Sequence, residues 1–320
     1  MRETEYAYAV ATIRVKENSL LSRSDLEALI ASEDYRSALF LLESKGWRGI
    51  EDDPESFLDQ RLKETWGLIN EIAPDKEAIS FLILQNDFHN AKTALKAFFS
   101  GMEAEYLTPY SVEPYLFNEA LTDKEKVGLL PLFLQDAFKK AHEALSQTYD
   151  GQLAEVILDA AALKAIRQKG ESTDSAFIKD ICEMICAFAD IKTTYRAIMT
   201  KKSADFLETA LCGTATLSKE RLLMAAESGI NSLFELLESS AYEKAAEKLR
   251  ISLSEYERFC DDSIIEYAQK AKYLNFGPEP LVAYYLARQS EIKNIRIILA
   301  CKRNGMPISA IRQRERALYV

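Results

Sequence analysis

Residues Leu281–Lys302 read LVAYYLARQSEIKNIRIILACK and contain neither glycine nor proline. Apolar residues recur along this stretch at steps of three, four and seven positions, which places them on one side of a helix. They are Val282, Tyr285, Ile292, Ile295 and Leu299. The pattern therefore predicts one long amphipathic helix.

The middle of this stretch, Glu291–Asn294 (EIKN), has two earlier counterparts, Asp190–Thr193 (DIKT) and Asn90–Thr93 (NAKT). We call these the three lysine segments. Their lysines are Lys92, Lys192 and Lys293, and they are 100 and 101 residues apart. A short segment that returns at a near-constant interval indicates a structural unit of about a hundred residues used three times.

Helix-start signals alternate with the lysine segments along the chain. Serine and threonine favour the N-cap because their hydroxyl accepts a hydrogen bond from an otherwise unpaired backbone N–H. The candidate starts are Leu21-Ser22, Leu121-Thr122, Leu217-Ser218 and Ile308-Ser309. We therefore predict three similar helical domains, at residues 1–110, 111–213 and 214–320.

Composition favours an all-α protein, with 48% hydrophobic and 28% charged residues but only 11 Gly and 8 Pro in 320 positions. The net charge of −10 disfavours a nucleic-acid track, which needs a concentrated basic face. No run approaches the roughly 18 uncharged apolar residues of a membrane span, and the charged start MRETEYAYAV is unlike a signal peptide. We expect a cytosolic protein with no transmembrane segment of its own.

The sequence offers little for catalysis or metal binding. It has no glycine-rich phosphate loop and no Gly-x-Ser-x-Gly elbow, and its two histidines have no cysteine nearby in sequence. Cys182 and Cys186 are one helical turn apart, which is typical of small core residues. We predict no catalytic residue, no cofactor and no metal site.

Two acidic clusters permit a second interpretation. Glu51–Glu55 (EDDPE) suits either a cation site or a charged helix start with Asp53 as N-cap, and the missing glycine spacing of calcium loops favours the helix start. Asp261-Asp262 resembles part of the Asp-Asp-x-x-Asp magnesium site of all-α prenyl-transfer enzymes, but Ile265 replaces the third carboxylate. We interpret it as an exposed acidic pair, and an all-α enzyme with a carboxylate-bound metal remains an alternative.

The chain from Glu291 to Val320 is basic, with seven Lys or Arg against two Glu and a local charge of +5. This segment suits either a solvated helix end or a contact with an acidic protein surface or lipid headgroups. With the lysine segments it supplies the candidate partner contacts. They are Lys92, Lys192, Lys293, Arg296, Arg312, Arg314 and Arg316.

Both ends of the chain resemble the C subunit of the rotary V/A-type ATPases, which is called the d subunit in eukaryotic vacuolar enzymes. At the start the resemblance rests on Tyr8-Ala9-x-Ala11-x-x-Arg14-x-x-Glu17 and Leu20-Leu21-Ser22-x-x-Asp25-Leu26. At the end it rests on Pro280-Leu281, Glu291-x-x-Asn294-Ile295-Arg296, Gly305-x-Pro307 and Tyr319-Val320. The similarity covers the whole chain and is weaker in the middle.

The resemblance implies an all-helical, funnel-shaped protein of three similar domains about a pseudo-threefold axis, without catalytic residues. Such a protein lies on the cytoplasmic face of the membrane rotor ring of proteolipid subunits. It holds the central shaft, made of the D and F subunits, and transmits torque between ATP turnover and ion movement. A helical-repeat adaptor with an open solenoid is the alternative function.

Overall fold

A computed structural model describes residues 3–320, and every regular element in that range is helical. The α-helices are α1 (Ala7–Glu17), α2 (Arg23–Ala31), α3 (Tyr35–Ser44), α4 (Pro54–Ile72), α5 (Phe81–Ser100), α6 (Pro114–Thr122), α7 (Leu132–Thr148), α8 (Gly151–Ser172), α9 (Ala176–Met199), α10 (Ala204–Ala210), α11 (Lys219–Ser228), α12 (Ile230–Glu238), α13 (Glu243–Ile251), α14 (Leu253–Ala268), α15 (Glu279–Arg303) and α16 (Ile308–Arg312). Short 3-10 helices lie at Glu3–Tyr6, Glu77–Ile79, Lys124–Leu129 and Gln269–Tyr273. The predicted all-α class is confirmed.

The chain divides into two compact units. Unit 1 combines Met1–Ile79 with Glu247–Val320, so it joins both ends of the sequence. Unit 2 is the continuous segment Ser80–Ala246. The three-domain division at residues 110 and 213 stays a prediction.

Helix α15 organises unit 1 and packs against α1, α3, α4, α14 and α16. The predicted long helix is confirmed. Its buried surface, however, is not limited to one side of the helix, as the apolar pattern had predicted. Every residue from Leu281 to Arg288 is buried, including the rings of Tyr284 and Tyr285. A helix enclosed by neighbours on several sides needs apolar residues around its circumference, and the sequence of its first turns supplies them.

Helix α8 organises unit 2 and packs against α5, α7, α9 and α10. Gly170 lies inside this helix, because α8 continues to Ser172. A Cβ atom on Gly170 would lie only 2.7 Å from the Cβ of Cys182 on α9. The glycine therefore permits a close helix–helix approach rather than ending the helix.

Two of the four predicted N-caps are confirmed. Ser22 forms a capping box with Asp25, and the Ser218 hydroxyl accepts from the backbone of α11. Thr122 instead ends α6, where its hydroxyl donates to carbonyls of the preceding turn, and Asp123 caps the next 3-10 helix. Ser309 lies inside α16 rather than before it.

Other local predictions also have clear outcomes. Asp53 caps α4 through Ser56 N (3.2 Å) and Pro54 is its first residue, as the charged helix start predicted. Cys182 and Cys186 are buried, which confirms them as core residues. The stretch 101–120 contains Gly101, Pro109 and Pro114 and still includes most of α6, because Pro114 lies in the first helical turn, where proline is well tolerated.

Within residues 3–320, no helix has the length and apolarity needed to cross a membrane. Over the same residues, no group of three or more His, Cys, Asp or Glu side chains is placed to hold a metal ion.

Candidate functional site: the lysine segments and their helices

The three lysine segments lie in three long helices, α5, α9 and α15. Each of these helices also carries fully buried polar side chains close to its lysine. They are Asp87 and Asn90 on α5, Asp190 and Thr194 on α9, and Glu291 and Asn294 on α15, all exposed by 1% or less. Buried polar groups require hydrogen-bond partners, and most of these find theirs in backbone outside their own helix.

Asp87 and Asn90 hold the segment that leads into α6. One oxygen of Asp87 accepts from the backbone N–H groups of Ser111 (2.7 Å) and Val112 (3.0 Å), and the other accepts from the Ser111 hydroxyl (2.5 Å). Asn90 makes two bonds with the backbone of Leu107, at 2.8 and 2.9 Å. Burial raises the pKa of Asp87, and its three donors oppose that rise.

Asp190 holds the segment that precedes α11. Its two oxygens accept from the backbone N–H groups of Cys212 (3.1 Å) and Gly213 (2.7 Å). The guanidinium of Arg167 on α8 donates to the carbonyls of the same two residues, at 2.7 and 3.0 Å. Burial raises the pKa of Asp190, while these amides and the positive charge of Arg167 act in the opposite direction.

Glu291 holds the residue before the N-cap of α2. One oxygen accepts from the backbone N–H of Leu21 (2.5 Å), and the other pairs with Arg288 one turn earlier on α15. The Glu291 and Arg288 side chains are only 2% and 4% exposed. Burial raises the pKa of Glu291, and the adjacent guanidinium opposes that rise. Arg288 also donates to the Tyr284 hydroxyl (3.0 Å), so both Glu291 and Tyr284 stabilise its buried positive charge.

Asn294 holds the C-terminal segment through two bonds with the backbone of Arg316, at 2.8 and 3.1 Å. Asp261 accepts from Arg316 Nε (2.6 Å), and Asp262 accepts from the backbone N–H of Ala317 (2.6 Å). Our prediction that the Asp-Asp pair is simply exposed is therefore wrong. Both carboxylates fasten the end of the chain to α14.

Asp87, Asp190 and Glu291 share one role, and we call them the anchor carboxylates. Each lies on a lysine-bearing helix and fixes backbone ahead of another helix, namely α6, α11 or α2. The contacts span 24 residues for Asp87 with Ser111, 23 for Asp190 with Gly213 and 270 for Glu291 with Leu21. The sequence patterns did not predict this role. The available signal was a carboxylate followed directly by a large apolar residue inside a long helix, as in Asp87-Phe88, Asp190-Ile191 and Glu291-Ile292.

The lysines themselves form ion pairs inside the protein. Lys92 pairs with Asp159 of α8 (2.5 Å), and Lys293 pairs with Asp261 of α14. Lys192 is half-buried and also engaged in an interaction. The lysine segments thus contribute to helix–helix contacts.

The arginine candidates are mostly paired as well. Arg296 contacts Glu55 (2.9 Å) and Asp59 of α4, and Arg312 contacts Glu27 of α2. Arg316 is largely buried against Asp261. Arg314 is exposed and donates to the carbonyl of Ala310 (2.9 Å), with no carboxylate partner in the described part of the chain. Much of the basic charge near the C-terminus is therefore balanced internally.

Comparison with known proteins gives a match along nearly the whole chain. The family model of the ATP synthase (C/AC39) subunit matches residues 9–314. The chain is 28% identical to the C subunit of the V-type sodium ATPase of Enterococcus hirae, over 98% of this chain and 99% of that protein. It is 27% identical to the C subunit of the A-type ATP synthase of Methanocaldococcus jannaschii, over 96% of this chain and 85% of that protein.

Proposed function

The chain belongs to the ATP synthase C/AC39 subunit family, and from that premise we propose that it is the connector subunit of a V/A-type rotary ATPase. In this role it links the central shaft of D and F subunits to the membrane rotor ring. It transmits torque between ATP turnover and ion transport and has no active site of its own. It is held at the cytoplasmic face of the membrane through the ring.

The observation that carries the proposal is the extent of the family match. It spans residues 9–314, and the relatives named as C subunits align over 96% or more of this chain. A match to a single domain would leave the remaining chain free for another activity. Here the same relationship accounts for both compact units.

The long helices of the chain and their fastened connections suit a subunit that rotates under load. Helices α8, α9 and α15 contain 22, 24 and 25 residues, and each therefore reaches more than about 30 Å at 1.5 Å per residue. The anchor carboxylates tie the segments between helices to the long helices α5, α9 and α15. Stiff helices with fastened connections transmit a load with little internal movement. We propose that the domains at residues 1–110, 111–213 and 214–320 share this construction around the shaft.

Among the seven basic candidates, Arg314 is the best placed for a contact with a partner. A cation that lacks an internal carboxylate partner can bind an acidic partner surface without first breaking an ion pair. Arg316, in contrast, also fastens the C-terminal segment, so its substitution would disturb the fold and the contact together.

The test is complex formation with a D–F shaft heterodimer, measured by size-exclusion chromatography and by titration at two salt concentrations. We expect a defined complex, and we expect Arg314→Glu to weaken it more at low salt than at high salt. Arg221→Glu, an exposed arginine on α11, is the matched control. Failure of the unmodified chain to bind the shaft heterodimer would contradict the connector function. If Arg314→Glu and Arg221→Glu weakened binding equally, Arg314 would be excluded as a specific contact, while the connector function would stand.

A further inference from the structure

Helix α1 carries apolar residues on two opposite sides. One side faces the core of unit 1 and buries Ala9, Val10 and Ile13. The other side faces solvent, and its Tyr8 and Val15 side chains are 73% and 69% exposed. A surface helix of a soluble protein normally has a polar outer face. The outer side of α1 is therefore typical of a face that packs against another chain.

The outward residues of α1 follow the spacing of a helix–helix contact. They are Tyr8, Ala11, Thr12 and Val15. Positions separated by three, four and seven residues form one stripe, which here extends over about 10 Å of the helix. The Thr12 hydroxyl donates to the Tyr8 carbonyl at 2.9 Å, so its polar group is already satisfied within the helix. The stripe therefore offers mainly apolar groups to a partner.

A second exposed apolar segment lies beside α1. It contains Tyr273, Leu274 and Phe276. Arg14 joins this segment to α1, because its guanidinium donates to the carbonyls of Ala271 (2.6 Å) and Leu274 (2.7 Å). The stripe and the segment are thus held together within unit 1. We call their exposed apolar residues the α1 surface, which consists of Tyr8, Ala11, Val15, Tyr273, Leu274 and Phe276.

The charged residues next to the α1 surface are mainly basic. Lys16 is exposed and has no carboxylate partner in the described part of the chain. Lys270 and Lys272 lie over the rings of Tyr267 (3.9 Å) and Tyr319 (4.8 Å). Within residues 3–320, neither of these two lysines pairs with a carboxylate. Their positive charges therefore remain available to a partner.

The carboxylates nearby do not offset these lysines. Glu17 accepts from Arg14 (2.8 Å) and from the Tyr319 hydroxyl (3.1 Å), so it is already engaged. Glu5 is exposed, but it lies at the opposite end of the stripe from Lys16. The Lys16 end of the α1 surface thus favours a partner with acidic side chains at that point.

We infer that the α1 surface receives an amphipathic helix of the shaft, which carries acidic residues beside its apolar face. The stripe is one helix face wide, so it fits the ridge of a single helix better than the broad surface of a bilayer. The second apolar segment contacts the side of the bound helix, and Lys16 pairs with its carboxylates. The inference rests on the proposed connector function and adds the surface that holds the shaft.

Titration of the full chain with the D–F shaft heterodimer tests the apolar part of this surface. Tyr8→Gln and Val15→Gln should each raise the Kd about tenfold, as for an apolar residue at the centre of an interface. Phe40→Gln is the matched control, because Phe40 is a 72% exposed aromatic residue on α3 outside the α1 surface. It should change the Kd less than about twofold. Circular dichroism and thermal melting verify that each variant is folded.

The same titration at two salt concentrations tests the charge of the partner. Lys16→Glu should weaken binding about fivefold at low salt and less at high salt. Lys63→Glu, at an exposed lysine on α4, is its control and should have little effect. An unchanged Kd for Lys16→Glu at low salt would overturn the acidic partner helix.

The remaining outcomes separate this inference from the connector function. Shaft binding that Tyr8→Gln and Val15→Gln leave intact, or that Phe40→Gln weakens equally, overturns the inference alone. If the unmodified chain does not bind the shaft, the connector function fails and the inference fails with it. If the two α1 substitutions abolish binding to the detergent-solubilised ring or to phosphatidylglycerol vesicles but not to the shaft, the surface contacts that partner and the inference is overturned.

Discussion

Two regions of the molecule fasten their chains with buried carboxylates in different ways. In unit 2, Asp87 is satisfied by three hydrogen bonds from Ser111 and Val112, with no cation among the groups that affect its pKa. In unit 1, Glu291 accepts one backbone bond from Leu21 and pairs with the buried Arg288.

A buried carboxylate that holds backbone can thus be stabilised in two ways. Backbone amides and a hydroxyl can satisfy a buried carboxylate without adding a second charge to the interior. A buried ion pair places two charges there, and each depends on the other. The two solutions therefore predict different penalties when the carboxylate is removed.

The largest effect is expected from Glu291→Ala. This change leaves Arg288 buried without its carboxylate and removes the acceptor of Leu21 N–H, so the free energy of unfolding should fall by about 3–5 kcal/mol. Urea denaturation measures it. Replacing both partners, as Arg288→Met with Glu291→Leu, should recover most of the loss. A single-variant loss below about 1 kcal/mol would show that the buried pair is not the basis of this anchor.

A smaller effect is expected from Asp87→Ala. It leaves the N–H groups of Ser111 and Val112 unsatisfied but strands no buried cation, so unfolding should become easier by about 1–3 kcal/mol. Hydrogen exchange at these two amides should accelerate as well. Asp159→Ala removes the exposed partner of Lys92 and is the control, with little effect expected. A greater loss for Asp87→Ala than for Glu291→Ala would reverse the comparison.

The smallest effect concerns pH and Asp190, which combines backbone donors with the charge of Arg167. Its pKa is raised in the folded state, so proton binding favours folding. The stability of the unmodified chain relative to Asp190→Asn should therefore rise as the pH falls through the raised folded-state pKa, and level off below the unfolded pKa of about 3.9. Urea denaturation of both proteins across this range provides the measurement. A relative decline on acidification would mean that the backbone donors outweigh burial.

Much of the fold could be predicted from local sequence. The glycine-free run at Leu281–Lys302 predicted α15, and Ser22, Ser218 and Asp53 predicted helix starts that are observed. These predictions depend on neighbours within a few residues, so they need no tertiary information. Gly170 shows the limit, because a glycine that permits close packing is identical in sequence to one that ends a helix.

The candidate site was much less predictable. The basic residues were identified, but their internal partners were not, since Arg296 pairs with Glu55 and Asp59 at separations above 230 residues. Two of the lysine segments begin with an anchor carboxylate, Asp190 or Glu291, but the sequence did not predict that these side chains hold backbone of other segments. Whether a charged residue faces solvent or a distant carboxylate is not encoded in its own neighbourhood.

By itself, the sequence determined the all-α class, the position of most long helices and the resemblance to a rotary ATPase component. Hydrophobic period, capping residues and ordered motifs are local properties, and each is readable along the chain. Only the tertiary structure decided which charges are balanced internally and which polar side chains fasten distant backbone. The physical reason is that the energy of a charge depends on what surrounds it after folding, and residues such as Glu291 and Leu21 meet only then.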